Sequence, residues 1–218
     1  MSKIKMAAYT DAAAFNNGKK DPNLPEHSCS AAILVYNDEV IYTTCYHNPN
    51  TSISYGELFA IYMILTDFSK LAKNTPENNY KLTLYSDSAY CVQSLNDWIK
   101  SWKKQNVNGI WHKSTGPVAY QEMMQEIDNI INDKSFDISI RHIKGHIDTT
   151  KPKDVKKAMD TWKKINRTKV EEDEIYVHVF YNNVCDKYAR DSLKKAMGGR
   201  DNDRVRKKFK KYINPGFK

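Results

Sequence analysis

Short alternating runs open the chain, and a helical pattern follows them. Residues 4–9 alternate loosely between apolar and polar side chains, and residues 30–36 and 40–44 are β-prone runs joined by Asn37-Asp38-Glu39. A short polar link between two such runs is typical of a β-hairpin. From residue 55 to residue 73 the apolar positions recur at the spacing of one helix face: Leu58, Ile61, Leu65, Phe68 and Ala72. The first half therefore predicts three antiparallel strands followed by a helix.

The second half of the chain alternates single strands with helices. The patterns predict, in chain order, a strand over 80–85, helices over 89–98 and 118–131, a strand over 136–143 and a helix over 183–197. We expect an α/β fold built on a five-stranded mixed sheet, with three antiparallel strands and then two parallel ones, flanked by helices.

The composition is typical of a folded protein that remains in the compartment where it is made. Hydrophobic residues make up 40% of the chain, which suffices for a core, and 11% aromatic residues argue against disorder. No apolar run approaches the length of a membrane span, and residues 1–5 lack the apolar stretch of a signal peptide. We therefore expect a cytoplasmic protein with no membrane partner. The four scattered cysteines are expected to be reduced and partly buried.

Positive charge is concentrated at the end of the chain. The net charge is +8, and residues 194–218 hold ten Lys or Arg and two Asp, which is also +8. The preceding 193 residues therefore sum to zero, so bulk charge says little about their partners. We predict one folded domain over 1–197 and a basic, flexible tail over 198–218.

Four acidic residues fall where α/β sheets hold their functional groups. Asp11 and Asp87 follow predicted strands, at the sheet edge where ligands bind. Glu57 and Asp186 are predicted in the first turn of their helices, from which a side chain can point toward the same edge. Taken singly, each has an ordinary explanation as a turn former, a helix cap or a favourable charge at a helix N-terminus.

Taken together, these residues lie in motifs that resemble ribonuclease H of the type 1 kind. The motifs occur in the family's order across residues 4–196 and are Tyr9-Thr10-Asp11, Gly56-Glu57-Leu58, Leu84-Tyr85-Ser86-Asp87-Ser88, Lys144-Gly145-His146 and Asn183-Val184-Cys185-Asp186-Lys187-Tyr188-Ala189. The resemblance implies a ribonuclease H-like fold over 1–197. It also implies an endonuclease that cuts the RNA strand of an RNA–DNA hybrid. We expect the protein to be a monomer.

The resemblance also implies roles for individual residues. Asp11, Glu57, Asp87 and Asp186 would be the catalytic carboxylates and metal ligands, and His146 would assist proton transfer or product release. A converging set of carboxylates must take up protons or bind cations, and hard oxygen ligands favour Mg²⁺, with Mn²⁺ as a substitute. Two such ions would leave 5′-phosphate and 3′-hydroxyl ends.

Candidate substrate contacts come from two segments. The basic and aromatic run 98–104 resembles the protrusion with which some members hold the DNA strand, and it contributes Trp98, Lys100, Trp102, Lys103 and Lys104. The alternative is a solvated helix whose tryptophans face the core. Hydroxyl-bearing residues before Glu57 correspond to positions that seat a DNA phosphate or sense 2′-hydroxyls: Thr51, Ser52 and Ser54.

An insertion over about 149–180 separates His146 from Asp186, where the family's connection is shorter. Residues 151–169 carry eight basic and two acidic side chains around an apolar stripe that includes Val155 and Trp162. One hypothesis is a basic helix that grips the hybrid, and the alternative is an amphipathic helix that caps the domain. For the whole chain, an inactive hybrid-binding module or another nuclease or integrase of the same fold remain the alternatives.

Overall fold

The computed structural model describes residues 3–18, 23–76 and 78–197, and the backbone of residues 205–207. The strands are β1 (Ile4–Phe15), β2 (His27–Tyr36), β3 (Glu39–Pro49), β4 (Tyr80–Ser86), β5 (Asn106–Val107), β6 (Ile110–Lys113), β7 (Gly116–Pro117), β8 (Asp137–His142) and β9 (Val205–Lys207). The helices are α1 (Ile53–Asn74), α2 (Ala89–Gln93), α3 (Ile99–Lys104), α4 (Gln121–Ile131), α5 (Pro152–Asn166) and α6 (Glu172–Met197), and a π-helical turn at Ser94–Trp98 joins α2 to α3.

One mixed sheet organises the molecule, in the order β8-β4-β1-β2-β3. β1, β2 and β3 pair antiparallel, whereas β4 and β8 run parallel to β1. This arrangement confirms the predicted five-stranded α/β fold. Within the predicted tail, the backbone of β9 adds a short sixth strand beside β3, and the rest of 198–218 lies outside the described residues.

The β2–β3 hairpin is confirmed, and it closes through two residues rather than the predicted three because Glu39 already belongs to β3. Tyr36 pairs with Glu39, and the two residues between them have positive φ angles, 48° at Asn37 and 59° at Asp38. Asn and Asp tolerate this conformation better than most residues, and a turn of this hand matches the twist of the strands.

α1 covers one face of the sheet and begins two residues before the predicted start. Ser52 caps it, accepting a hydrogen bond from the Tyr55 N–H at 3.4 Å. The predicted apolar positions of α1 are all buried, and they pack with residues of β1, β2, β4 and α4. The core on this face therefore holds the first turns of α1 firmly against the sheet.

α5 and α6 cover the opposite face, and α6 departs from expectation. α6 begins at Glu172, eleven residues before the predicted start, so the inserted stretch is α5 plus the first turns of α6. Val155, Ala158 and Trp162 of α5 are buried against this face, which confirms that the insertion contains an amphipathic helix packed on the domain. The early part of α6 was missed because polar His178 and Asn182 sit in its buried row.

Within the described ranges, none of the helices has both the length and the apolar character needed to cross a bilayer.

Candidate active site

The pairing of β1 with β4 brings two carboxylates together. Their parallel register ends at Thr10 opposite Ser86, so Asp11 and Asp87 are the next residues on neighbouring strands. β1 itself continues to Phe15, paired only with β2, which corrects the prediction that it ends at Asp11. The cap of the following helix α2 is Ser88, whose hydroxyl accepts from the Cys91 N–H, so the Asp87 carboxylate is not used for capping.

Glu57 reaches the same place because α1 approaches the sheet closely. A Cβ atom at Gly56 would lie 2.9 Å from the Cβ of Ser28 and 3.0 Å from that of Ala12, so only glycine fits there. The Ser30 hydroxyl donates to the Gly56 carbonyl at 2.6 Å and fixes the backbone. Glu57 is the fifth residue of α1 rather than part of its first turn, so the helix N-terminus does not explain its placement.

The three carboxylates form a tight group in which Asp11 and Glu57 are buried and Asp87 is half-buried. Asp11, Glu57 and Asp87 each offer an oxygen within 4.8 Å of the others. Burial and the charges of Asp87 and Asp186 raise the pKa of Asp11 to about 8. Burial, followed by the charges of Asp11 and Asp87, raises the pKa of Glu57 well above its ordinary value. Two such charges repel by on the order of 3 kcal/mol at an effective dielectric of 20.

Asp186 lies at the side of this group, in the middle of α6. Its position, fourteen residues after Glu172, corrects the prediction that it lies in the first helical turn. Its carboxylate pairs with Arg190 one turn later, at 2.6 Å. Its charge raises the pKa of both Asp11 and Glu57, which shows that the four carboxylates share one electrostatic environment.

Asn182 is a site residue that the sequence did not reveal. Its side chain hydrogen bonds to Asp87, and this bond opposes the rise that burial causes in the pKa of that carboxyl. Asn182 precedes Asp186 by four residues, so both lie on one face of α6. The i, i+4 spacing of Asn182 and Asp186 could have revealed this residue. The predicted helix began at residue 183, however, and therefore excluded Asn182.

Orphaned oxygen atoms indicate what the site can hold. Among the described residues, Oδ2 of Asp11, Oε2 of Glu57 and Oδ1 of Asn182 are buried without a hydrogen-bond partner. Buried polar atoms are rarely left unpaired in native proteins, and a divalent cation would satisfy oxygen atoms of this kind. The donor set, all oxygen and rich in negative charge, fits a hard cation such as Mg²⁺ or Mn²⁺.

His146 lies beside Asp87 on the loop after β8. It is exposed, has a φ of 52°, and its charge opposes the rise in the pKa of Asp87. His142, four residues earlier, is 5% exposed and packs in the sheet. Between them, Gly145 passes so close that a Cβ there would lie 2.0 Å from Oδ2 of Asp87.

α5 is tied to this loop by Asn166. The Asn166 amide accepts from the His142 N–H and donates to the His142 carbonyl, each at 2.7 Å, as a neighbouring strand would. Nε2 of His142 in turn lies 3.2 Å from the Asp87 carbonyl oxygen. The inserted helix is therefore connected, through Asn166 and His142, to the backbone of Asp87.

The candidate hydroxyl residues have structural roles. Oγ1 of Thr51 donates to the Asn48 carbonyl at 2.9 Å and lies 2.7 Å from Oγ of Ser28. Ser52 caps α1, and its hydroxyl lies 3.2 Å from that of Tyr120. Ser54 is exposed. Thr51 and Ser52 hold the entry to α1, whereas Ser54 has its side chain open to a ligand.

The basic and aromatic segment divides into surface and core residues. Trp98 is 38% exposed, whereas Trp102 is 6% exposed and belongs to the core, so Trp102 has little surface to offer a nucleic acid. Lys103 pairs with Asp128. Lys100 and Lys104 are exposed. Of the predicted substrate contacts in this segment, Trp98, Lys100 and Lys104 therefore remain as candidates.

In EDTA, we expect the thermal midpoint to fall as pH rises from about 6.5 to about 8.5. The folded pKa of Asp11, about 8, exceeds its ordinary value of 3.8, so the stability that this proton confers is lost as pH rises through the folded pKa. The opposite effect of His178, whose pKa burial lowers to about 4, is confined to pH values below about 6.5. Thermal melts of the chain and of Asp11→Asn should differ, with a flatter profile for the variant. Equal slopes would contradict the assignment, and saturating Mg²⁺ should remove the decline.

The sequence is similar to a known protein family and to individual members of it. A model of the RNase H family matches residues 3–158, which include Asp11, Glu57, Asp87 and His146 but end before Asp186. The ribonuclease H of Ehrlichia ruminantium is 30% identical over 142 residues, which cover 65% of this chain and 83% of that protein. The ribonuclease H of Acetivibrio thermocellus is 29% identical over 192 residues, which cover 88% of this chain and 96% of that protein.

The fold has a counterpart among solved structures. LC9-RNase H1, a type 1 RNase H with the type 2 active-site motif, aligns with a TM-score of 0.52 over 85% of this chain and 86% of that chain. The two sequences are 14% identical, so this likeness supports the shared fold alone.

Proposed function

Since this chain belongs to the type 1 ribonuclease H family, we propose that it is an endonuclease that hydrolyses the RNA strand of RNA–DNA hybrids. The observation that carries the proposal is the buried group of Asp11, Glu57 and Asp87, whose oxygens lie within 4.8 Å of one another. An inactive binding module would have no need to retain so costly a group, because buried like charges destabilise the fold.

The four carboxylates would hold two Mg²⁺ ions. Asp11, Glu57 and Asp87 offer the converging oxygens, and Asp186 adds a fourth carboxylate from the side of α6. When bound, such ions would activate a water and stabilise the leaving 3′ oxygen, so that 5′-phosphate and 3′-hydroxyl ends form. The raised pKa of Asp11 and Glu57 supports this use, since protons held by repelling carboxylates are readily exchanged for cations.

The surrounding side chains would position the reaction. Asn182 donates to Asp87 and fixes the orientation of that carboxylate. His146, exposed on the loop beside Asp87, would accept or deliver a proton at the reacting phosphate or help product leave.

The substrate would lie across the active-site edge of the sheet. On one side, Trp98 would pack against a sugar or base, and Lys100 and Lys104 would neutralise phosphates of the DNA strand. On the other side, exposed Ser54 would meet the minor groove, where 2′-hydroxyls distinguish RNA from DNA.

The proposal is tested by cleavage of an end-labelled RNA–DNA hybrid in Mg²⁺, with EDTA as the control. Single-stranded RNA, double-stranded RNA and double-stranded DNA are assayed in parallel. We expect cleavage of the hybrid's RNA strand alone, lost in EDTA, because the carboxylates need a cation to act. Cleavage of DNA would assign the chain another nuclease activity of this fold. Tight hybrid binding without cleavage would show an inactive module.

A further inference from the structure

The inserted helix carries positive charge that its own surroundings do not neutralise. Six lysines on or just after α5 are exposed and form no ion pair with any residue in the described part of the chain: Lys153, Lys156, Lys157, Lys163, Lys164 and Lys169. The buried side chains of Val155, Ala158 and Trp162 hold α5 against the domain, so these charges project from a rigid helix. A rigid array of unpaired cations is a surface suited to a polyanion.

The lysines of α5 divide into two rows. At 100° per residue, Lys156 and Lys163 lie on one flank of the buried stripe, and Lys157 and Lys164 point away from the domain. Arg167 follows the helix as its C-cap residue, and its guanidinium lies 3.5 Å from the Asp97 carboxylate. The end of α5 that follows Lys163 therefore lies against the π-helical turn at Ser94–Trp98.

Two contacts place the C-terminal end of α5 beside the active site. Asn166, next to Arg167, holds both backbone groups of His142, which in turn contacts the Asp87 carbonyl. The partner of Arg167, Asp97, directly precedes Trp98 in the segment assigned to the DNA strand. These contacts place the C-terminal end of α5 between His142 and Asp97, and Lys163 lies about one turn before that end, with Lys156 about two turns further back.

We propose that Lys156, Lys163 and Arg167 form a second phosphate-binding row, which holds the backbone of the hybrid on the β8 side of the cleaved bond. This inference rests on the proposed function and adds to it a contact that belongs to the insertion of this chain. Lys156 and Lys163 are about 10 Å apart along the helix axis, so they can engage different phosphates of one strand. The charges would contribute affinity without sequence preference, because phosphates carry no sequence information.

A structural explanation of the same lysines makes a different prediction. Lys163 and Lys164 lie in the last turn of α5, where positive charge stabilises a helix through its dipole. On that explanation, replacing either would lower the thermal midpoint slightly and leave hybrid affinity unchanged.

The test compares two double variants of the full chain, Lys156→Gln/Lys163→Gln and the matched Lys157→Gln/Lys164→Gln. Binding of a fluorescent RNA–DNA hybrid is measured in EDTA, which prevents cleavage, over KCl concentrations from about 50 to about 200 mM. Removing two phosphate contacts should lower the slope of log affinity against log salt by about 2, with binding about tenfold weaker at the lower salt concentration. The matched pair should bind within about twofold of the unmodified chain.

Two results would overturn the inference: unchanged affinity in both variants, or an equal loss in both. Cleavage of the hybrid in Mg²⁺ by the unmodified chain is recorded alongside. A chain that cleaves normally while both variants bind normally keeps the proposed function and loses only the second row. A chain that neither binds nor cleaves the hybrid refutes the proposed function itself.

Discussion

Replacing Asp87 by Asn is expected to lower the rate of RNA cleavage by about 10³-fold, which corresponds to about 4 kcal/mol of transition-state stabilisation. Asp87 shares its buried site with Asp11 and Glu57, and an amide supplies neither the charge nor the second oxygen that a cation requires. Since Asn has nearly the same shape and relieves repulsion among the carboxylates, the variant should fold and should be at least as stable in EDTA.

Single-turnover cleavage in Mg²⁺ measures this effect, and hybrid binding in EDTA is measured beside it. The matched control is Asp137→Asn, the same exchange at the opposite end of the neighbouring strand β8, where Asp137 pairs with Lys3 on the surface. We expect normal cleavage from the control and normal hybrid binding from both. A cleavage rate within tenfold of the unmodified chain would remove Asp87 from the catalytic group.

Gly145→Ala should lower cleavage by about 10²-fold although it changes no charge and no candidate ligand. The added methyl carbon would lie 2.0 Å from Oδ2 and 2.9 Å from Cγ of Asp87, so either the carboxylate or the loop that bears His146 must move. A displacement of about 1 Å in a catalytic group is enough for a loss of this size. The affinity for Mg²⁺, followed as the rise in thermal midpoint on adding the ion, should weaken as well.

A double variant isolates the collision as the cause. Asp87→Ala removes the carboxylate atoms that the new methyl group would meet, so adding Gly145→Ala to it should change the thermal midpoint less than Gly145→Ala does alone. Equal shifts in the two backgrounds would mean that the backbone of residue 145, rather than its contact with Asp87, is responsible. Cleavage by Gly145→Ala close to that of the unmodified chain would show that the loop yields freely.

Local patterns predicted the sheet and α1 well because each follows a simple period. In α1, the apolar positions that recur at helical spacing are the ones that pack against the sheet. The hairpin turn at Asn37 and Asp38 requires two positive φ angles, which few residue types tolerate, so its sequence is informative. Where local structure depends on apolar spacing or on residues that tolerate a positive φ angle, the sequence is sufficient to predict it.

The candidate site was predictable as a set of residues but not as a geometry. The sequence placed Asp11 at a strand end and Asp186 at a helix start, whereas each lies inside a longer element. The convergence of the carboxylates depends instead on where β4 stops beside β1 and on the close approach that Gly56 permits. These features depend on tertiary packing, and the periodic pattern of apolar residues in the sequence does not encode them.

The two tryptophans of the basic and aromatic segment are neighbours, with ring centroids 5.9 Å apart, and yet they differ in exposure. The alternative to substrate contact placed Trp98 and Trp102, at i, i+4 spacing, on one helix face that packs in the core. The π-helical turn at Ser94–Trp98 widens the helix there, and Trp98 remains 38% exposed while Trp102 is buried. Turns of this kind are frequent at functional sites, and they are set by packing rather than by a residue signature.

The asparagines at the outer side of β8 have a consequence for how molecules of this chain behave at high concentration. β8 is the last strand of the sheet, and an exposed last strand is a template on which another chain can add a strand. Here Asn96 donates to the Ile140 carbonyl at 3.0 Å, and Asn166 occupies both backbone groups of His142. Side chains of the molecule itself thus occupy these positions, which protects this side of the sheet against aggregation.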